Sequence, residues 1–427
     1  MTHYSFTTLS NGLRIITVPM QERASAAVAL WVRAGGRFES RKLSGVSHFL
    51  EHMLFKGTRT RTVRQIKEEI EGVGGMMNAF TGEESTCYFA KLLVNHFPKA
   101  LNVLSDMVNN ATLSVEEYRK EKTVILEEIK MYRDLPSQHV QDIMSEMLWP
   151  DQALGRPIAG TPETVAGITR QAMVHYKKQY YHPRNVVVTV SGSVDPEEVV
   201  RQVKDCFGKQ SARPTAYFPK ASSRQNKPRF HFLEKKTEQT HLVIGLHGLS
   251  RFDPARYALG ILNILLGSNM SSRLFEEVRE KRGLAYEIRS GLSYFHDTGA
   301  VTVSAGLEAA KLPAAVRVIL RELGKFCDQP VSEGELRRAK DYFMSQLYMA
   351  LEDTLDHLLW VGERVLDCNE LPDRQKIHKE IEAVTQRDIQ EIARRLFKTN
   401  KLNLAVIGPV DSKIQNRVRK EFEMKSS

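Results

Sequence analysis

The chain has 427 residues, and a typical domain size of roughly 150 residues predicts two or three domains. Hydrophobic residues make up 42% of the chain and charged residues 26%, which excludes a wholly disordered chain, a collagen-like fibre and a bundle of membrane helices. Lys and Arg outnumber Asp and Glu by 61 to 51, a net charge of +10. The sequence has no Lys/Arg block, RNP-type strand or zinc-finger spacing, so no nucleic-acid partner is expected.

The cysteines and the N-terminal segment indicate the compartment. The four cysteines lie far apart without a CxxC pair, which is typical of reduced thiols rather than of a disulfide scaffold. Residues 1–6 have neither the basic nor the apolar region of a signal peptide. No run approaches 18 apolar residues. We therefore expect a cytoplasmic protein with no membrane partner.

The first segment with an evident chemical pattern is a predicted helix over residues 44–57, which ends at a glycine. His48, Glu51 and His52 are spaced three and four residues apart, so they share one helix face. Two imidazoles at this spacing can present two nitrogen ligands to zinc, and the pattern H-x-x-E-H is that of inverzincins. The alternative is that all three are exposed helix residues without a ligand.

A second helix, predicted to begin near residue 116, offers carboxylates. Glu121 and Glu128 are two helical turns apart and share a face. Two like charges on one face are unfavourable unless a cation lies opposite them, so either carboxylate is a candidate third ligand. A solvated helix face is the alternative.

The two halves of the chain resemble each other. A helical stretch, a β-rich strand, a glycine turn and an aspartate recur at a constant offset of 216 residues, as in the pairs Gly192/Gly408 and Asp195/Asp411. The glycines Gly57 and Gly267, each closing an apolar helix, are 210 residues apart. Such small drift indicates a duplication. Residues 209–229 are polar and suit a linker, which predicts domains over 1–215 and 225–427.

The same patterns predict the fold class. Strand-like runs over residues 26–32 and 186–191 fall at the two ends of the first half, with helices clustered between them, and the second half has runs over 241–246 and 300–305. This arrangement favours an α+β fold in which each of two homologous domains has a mainly antiparallel sheet with helices packed on one face.

Extended motifs are similar to those of the pitrilysin family of zinc metallopeptidases (M16), especially its short bacterial members, which resemble mitochondrial processing peptidase β-subunits. HFLEH at 48–52 is followed 76 residues later by Glu128 within VILEEIKM. Further matching segments are LSNGLR at 9–14, AGGRFE at 34–39, NAFT at 78–81, TCY at 86–88, GRPIAGT at 155–161 and MSSRLFEEVR at 270–279. The resemblance implies that each chain forms half of a clamshell.

The resemblance also implies roles for the site residues. It assigns His48, His52 and Glu128 to zinc, Glu51 to the general base that activates water, and Glu121 to a supporting carboxylate. The second copy has lost this chemistry: apolar residues or an amide stand at the corresponding positions, which are Ala258, Ile261, Leu262, Ala339 and Gln346. One zinc ion per chain is therefore expected.

Two further sets of residues are implied by the resemblance. Arg279 and Tyr286 are similar to an Arg/Tyr pair that contacts the substrate and the tetrahedral intermediate. Arg282 lies nearby, but the spacing favours Arg279 as the arginine of the pair. The alternative for the pair is a surface Arg beside a half-buried Tyr. Asn78 and Ala79 correspond to a strand edge that pairs with an extended peptide.

These features predict a zinc metalloendopeptidase that hydrolyses extended or unfolded polypeptides, and a non-catalytic scaffold or assembly subunit of the same fold is the alternative. Larger relatives hold four such domains in one chain, with the zinc in the first and the Arg/Tyr pair in the fourth. A chain with two domains would therefore need a partner chain. A homodimer is expected, and a heterodimer with a paralogue is the second possibility.

Overall fold

The computed structural model describes residues 4–215 and 217–423. Residues 1–3 of the N-terminal segment and Ala216 of the predicted linker lie outside the described residues. The strands are β1 Ser5–Thr8, β2 Arg14–Pro19, β3 Ser25–Val32, β4 Met76–Thr81, β5 Thr86–Leu93, β6 Val186–Gly192, β7 Arg229–Glu234, β8 Thr240–His247, β9 Glu287–Tyr294, β10 Gly299–Leu307 and β11 Asn403–Gly408.

Long helices fill most of the chain between these strands. They are α1 Val46–Leu54, α2 Val63–Glu71, α3 Phe97–Asn110, α4 Val115–Asp134, α5 Pro136–Leu148, α6 Pro162–Gly167, α7 Arg170–Tyr180, α8 Pro196–Phe207, α9 Arg256–Asn263, α10 Leu312–Asp328, α11 Glu333–Ala350, α12 Thr354–Cys368, α13 Arg374–Ala383, α14 Gln386–Leu396 and α15 Ser412–Glu423. The segments Ile264–Ser268 and Phe275–Glu280 are π-helical. No helix in the described part of the chain is long and apolar enough to cross a membrane.

The chain forms two compact units that interleave in sequence. The first unit contains the chain up to Ile129, then Arg156–Pro219 and Leu347–Pro372. The second contains Lys130–Gly155, Lys220–Gln346 and the chain from Asp373 onward. Helix α5 therefore belongs to the second unit and α12 to the first.

The five strands of the second sheet follow the same order as five strands of the first, which has β1 as a sixth strand at its edge. The sheet of the first unit has the order β1-β2-β6-β3-β5-β4, and that of the second has the order β7-β11-β8-β10-β9. Among the described strands, β2 and β6 are the one parallel pair of the first sheet, and β7 and β11 are the one parallel pair of the second. The predicted α+β fold class, with a mainly antiparallel sheet and helices in each half, is thus confirmed.

Strand β3, in the interior of the first sheet, is buried on both faces. Because side chains alternate along a strand, Val28 and Leu30 of β3 face the core that contains α1, α3 and α8, whereas Ala29 and Trp31 face the core that contains α12. In addition to the predicted helices on one face, α12 therefore covers the opposite face.

Small residues allow the covering helices to approach their sheets closely. A Cβ atom added to Gly362 of α12 would lie 2.1 Å from Nε1 of Trp31. In the second unit the sizes are reversed: Gly245 is on strand β8, and a Cβ atom there would meet the side chain of Met144 on α5. In each unit, a glycine on one element thus makes room for a large side chain on the element packed against it.

Candidate metal centre

Helix α1 turns an apolar face to the core and a face with two imidazoles and a carboxylate away from it. Its buried apolar side chains pack in the core that contains α1, α3 and α8, which we call the first core, and they are Val46, Phe49, Leu50, Met53 and Leu54. His48, Glu51 and His52 lie on the remaining face and are partly exposed. The amphipathic spacing therefore places the three predicted site residues of this helix together.

A buried carboxylate holds the start of α1. Glu39 accepts hydrogen bonds from the backbone N–H groups of Gly45 and Ser47, each at 2.8 Å, so it satisfies donors that the first turn leaves unpaired. Burial raises the pKa of Glu39 to about 7, although these hydrogen bonds act in the opposite direction. Glu39 was not among the predicted site residues, because only the folded loop brings it to the helix.

Three side chains converge as a group that could hold a metal ion. Oε2 of Glu128, on α4, lies 3.8 Å from Nε2 of His48 and 3.7 Å from Nε2 of His52. One ligand atom of each residue lies within 4.8 Å of the others, and among the described residues this is the single such group of three His, Cys, Asp or Glu side chains. Tetrahedral zinc with ligands at 2.0–2.1 Å separates its ligand atoms by about 3.3 Å, so the two distances from Glu128 to the imidazoles exceed this separation by only about half an ångström.

The protonation and bonding of this group also fit a metal. Oε2 of Glu128 is buried and has no hydrogen-bond partner. Such an atom is costly unless a cation or a donor meets it. Burial, together with His52, lowers the pKa of His48 to about 4, so its ring is neutral and can donate a nitrogen lone pair.

Glu121 supports the second histidine. Nδ1 of His52 lies 3.2 Å from Oε2 of Glu121, and the other carboxylate oxygen lies 2.7 Å from Nζ of Lys56. Burial raises the pKa of Glu121, but the contacts with His52 and Lys56 outweigh it and the pKa is lowered. An ionised Glu121 therefore accepts from Nδ1–H of His52 and leaves Nε2 directed at Glu128. Lys56 was missed, although it follows His52 by one helical turn.

Glu51 lies beside the three-residue group and is not part of it. The Thr81 hydroxyl of β4 donates a hydrogen bond of 2.5 Å to Oε2 of Glu51. Burial raises the pKa of Glu51. The hydrogen bond from Thr81 and the nearby His52 lower this pKa, whereas the charge of Glu128 raises it, and the net effect is a raised pKa. The arrangement thus provides a carboxylate that can take up and release a proton next to the group. Thr81 was not among the predicted site residues either.

The predicted peptide-binding residues lie on β4, an outer strand of the first sheet. Asn78 pairs in register with Phe89 of β5, and Ala79 pairs with Tyr88. Oδ1 of Asn78 accepts a hydrogen bond of 2.8 Å from the N–H of Ala79. Through Thr81, the same strand contacts Glu51.

Arg279 and Tyr286 lie close together in the second unit. The guanidinium carbon of Arg279 lies 5.5 Å from the ring centre of Tyr286. Tyr286 precedes β9 and is 76% exposed. Arg282 is instead hydrogen-bonded to a carboxylate oxygen of Glu277 at 2.6 Å.

In the second unit, helix α9 has no equivalent of the metal group. Ala258, Ile261 and Leu262, which correspond to the residues of the H-x-x-E-H motif, are buried in the apolar interior. Ala339, the counterpart of Glu121, is also buried.

Comparisons with known proteins identify the family of the chain. Residues 14–162 match the family model described as "Insulinase (Peptidase family M16)", and residues 167–343 match the one described as "Peptidase M16 inactive domain". The chain is 38% identical over 420 residues to an uncharacterized zinc protease of Streptomyces coelicolor, covering 96% of this chain and 91% of that one. It is 37% identical to an uncharacterized zinc protease of Bacillus subtilis, covering 94% and 97%.

A solved structure supports the fold. A protease from Helicobacter pylori superposes with a TM-score of 0.89 at 22% identity, covering 96% of this chain and 100% of that chain.

Proposed function

We propose that this chain, which belongs to peptidase family M16, is a zinc-dependent endopeptidase that hydrolyses peptide bonds in extended or unfolded polypeptides. The observation that carries the proposal is the buried Oε2 of Glu128, which has no hydrogen-bond partner and faces two imidazole nitrogens. The similar proteins named zinc proteases support zinc as the metal.

The residues of α1 and α4 divide the chemistry between them. His48, His52 and Glu128 would hold the zinc ion, which when bound would supply Lewis-acid chemistry for water activation. Glu51 accepts the proton of the attacking water and returns it to the amine leaving group. Its raised pKa suits both steps, and Thr81 fixes the orientation of its carboxylate.

The substrate would bind as an added strand. Strand β4 is an outer strand, and its Thr81 contacts the proposed base. An extended peptide that pairs with Asn78 and Ala79 would lie along this edge and reach Glu51. This mode requires an unfolded segment, because a folded protein seldom offers a free strand.

We assign Arg279 and Tyr286 to stabilisation of the oxyanion, since a guanidinium and a phenol are suitable donors. The proposed active species is a homodimer in which the pair of one subunit serves the zinc site of the other, with a paralogue as the alternative partner. When inactive Glu51→Gln is mixed with inactive Tyr286→Phe, each mixed dimer should then recover one competent site of its two. No recovery after demonstrated subunit exchange would contradict the arrangement in trans, and an active monomer would contradict the dimer.

A non-catalytic scaffold or assembly subunit is the second candidate. The match of residues 167–343 to the model described as an inactive domain favours it for the second half of the chain. The retention of His48, Glu51, His52 and Glu128 in the first half favours catalysis.

The test is cleavage of a peptide library with and without a chelator. Wild-type protein should cleave only when zinc is present, and Glu51→Gln should abolish cleavage while keeping the metal, because the change removes the base but no ligand. Turnover near that of the wild type in Glu51→Gln would exclude Glu51 as the base.

Zinc affinity tests the ligand set separately. Glu128→Gln should weaken zinc retention, whereas Glu127→Gln, a change at the exposed neighbouring position, should not. Unchanged affinity in Glu128→Gln would move the third ligand elsewhere, first to Glu121.

A further inference from the structure

Strand β4 presents two different faces. Met77 and Ala79 pack against the first core, and Thr81 on the same side bonds to Glu51. Because side chains alternate, Met76, Asn78 and Phe80 point to the other side. Met76 is 47% exposed and Phe80 is 41% exposed. An apolar, solvent-facing surface therefore lies on the reverse side of the strand that contacts the proposed base.

The aromatic part of this surface is held in place. The ring of Phe80 packs edge-on against buried Trp31, with ring centres 5.6 Å apart and planes at 80°. It also lies 6.3 Å from the ring of Phe89 on β5. A side chain fixed in this way can select a partner at a small entropic cost.

The unpaired edge of β4 indicates which ligand binds over the surface formed by Met76 and Phe80. In the described part of the chain, β5 is the sole strand paired with β4. The backbone N–H of Ala79 donates a hydrogen bond to the side chain of Asn78. A peptide that accepted from this N–H would therefore have to displace only the Asn78 side chain. An exposed edge with large apolar side chains is a liability unless it has an occupant. The link from Thr81 to Glu51 makes the substrate peptide the fitting occupant.

We propose that Phe80 and Met76 select substrates with apolar side chains at two positions four residues apart. This inference rests on the proposed function and on the binding of a peptide to β4. The peptide residues opposite Phe80 and Met76 would point to the same side as these two residues, where cross-strand apolar pairs form. The residue opposite Phe80 is adjacent to the one opposite Thr81, so it lies next to the region of cleavage. Asn78 lies between the two positions and leaves the middle one polar.

The expected effect is modest at each position. Pairing of an apolar residue with an aromatic or aliphatic neighbour across two strands should change kcat/KM by about fivefold relative to serine. A peptide with leucine at both positions should thus be cleaved on the order of 25-fold better than its doubly serine-substituted counterpart.

The experiment compares two peptides in each of four enzymes. A cleaved library peptide is resynthesised with leucine or with serine at the two positions, and kcat/KM is measured with wild type, Phe80→Thr, Met76→Thr and Phe6→Thr. Threonine suits a strand. Phe6 is the matched control, because it is 39% exposed on β1, the opposite outer strand of the same sheet. The quantity compared is the ratio of kcat/KM for the leucine peptide to kcat/KM for the serine peptide. This ratio does not depend on the fraction of enzyme that is active.

We expect the ratio to fall about fivefold in Phe80→Thr and in Met76→Thr, and to stay unchanged in Phe6→Thr. An unchanged ratio in both β4 variants, or a wild-type library profile without two apolar positions four residues apart, would overturn the inference. The inference would also be overturned if the two β4 variants had an altered oligomeric state but the same ratio of kcat/KM for the two peptides, because the surface would then bind a second copy of the chain. A wild-type enzyme without chelator-sensitive cleavage would instead refute the proposed function.

Discussion

Gly362 of α12 occupies a position where even one methyl group would collide with the sheet. A Cβ atom there would lie 2.1 Å from Nε1, 2.7 Å from Cδ1 and 2.8 Å from Cε2 of Trp31. The indole ring cannot move freely, since it is buried and also packs edge-on against the ring of Phe80. Gly362→Ala should therefore force α12 away from β3 or displace Trp31.

The size of the effect follows from two opposing contributions. Overpacking of a well-filled core costs about 1–3 kcal/mol. Replacing glycine by alanine inside a helix returns about 0.5–1 kcal/mol. We expect a net loss of about 1–2 kcal/mol in the free energy of unfolding of the first unit.

The matched control is the same change in another helix. At Gly260 of α9 the nearest atom, on Phe343, would lie 3.5 Å from the new Cβ atom, which is an ordinary contact. Gly260→Ala should therefore be neutral or stabilising by up to about 1 kcal/mol. Urea unfolding and calorimetry of both variants measure the difference. An equal change in the free energy of unfolding in Gly362→Ala and Gly260→Ala would contradict the expected collision with Trp31.

Three further predictions concern the site. Metal analysis after reconstitution should find one zinc per chain, and two equivalents would require a second site. Lys56→Met should weaken zinc affinity by about tenfold or more in a chelator competition, because it removes the charge that keeps Glu121 ionised against His52, and an unchanged affinity would show that Glu121 needs no such partner. The pKa of Glu39 is raised from 4.5 to about 7, so its contribution to stability is full below pH 4.5 and is lost as the pH rises to about 7. In the wild type, the free energy of unfolding should therefore decline by about 3 kcal/mol between pH 4.5 and about 7 because of Glu39, and Glu39→Gln should remove this decline. The same dependence of stability on pH in the variant and the wild type would contradict a raised pKa of Glu39.

The sequence was most informative where local geometry decides the outcome. Helical spacing alone brings His48, Glu51 and His52 to one face. Spacing within a single helix could not bring Glu128 to these histidines, since that contact depends on how α4 packs against α1, and family resemblance supplied it. Lys56 could have been found by continuing the helical spacing by one turn.

Long-range packing explains what the sequence did not indicate. Thr81 reaches Glu51 only because β4 lies at the edge of the folded sheet. The amphipathic patterns of α5 and α12 predict that each helix has an apolar face, but not which sheet it covers. The pairing of small and large residues, Gly362 with Trp31 and Met144 with Gly245, becomes evident only in the folded units.

The assignment of α12 to the first unit has a consequence for protein synthesis. Strand β3 leaves the ribosome early, but the helix that covers its Trp31 side ends at Cys368, about 340 residues later. At about 5–20 residues per second, this side of the nascent sheet waits for roughly 20 to 70 seconds before its cover is made. During that interval it is an apolar surface for chaperones to bind, and a chain truncated before residue 354 would keep it exposed.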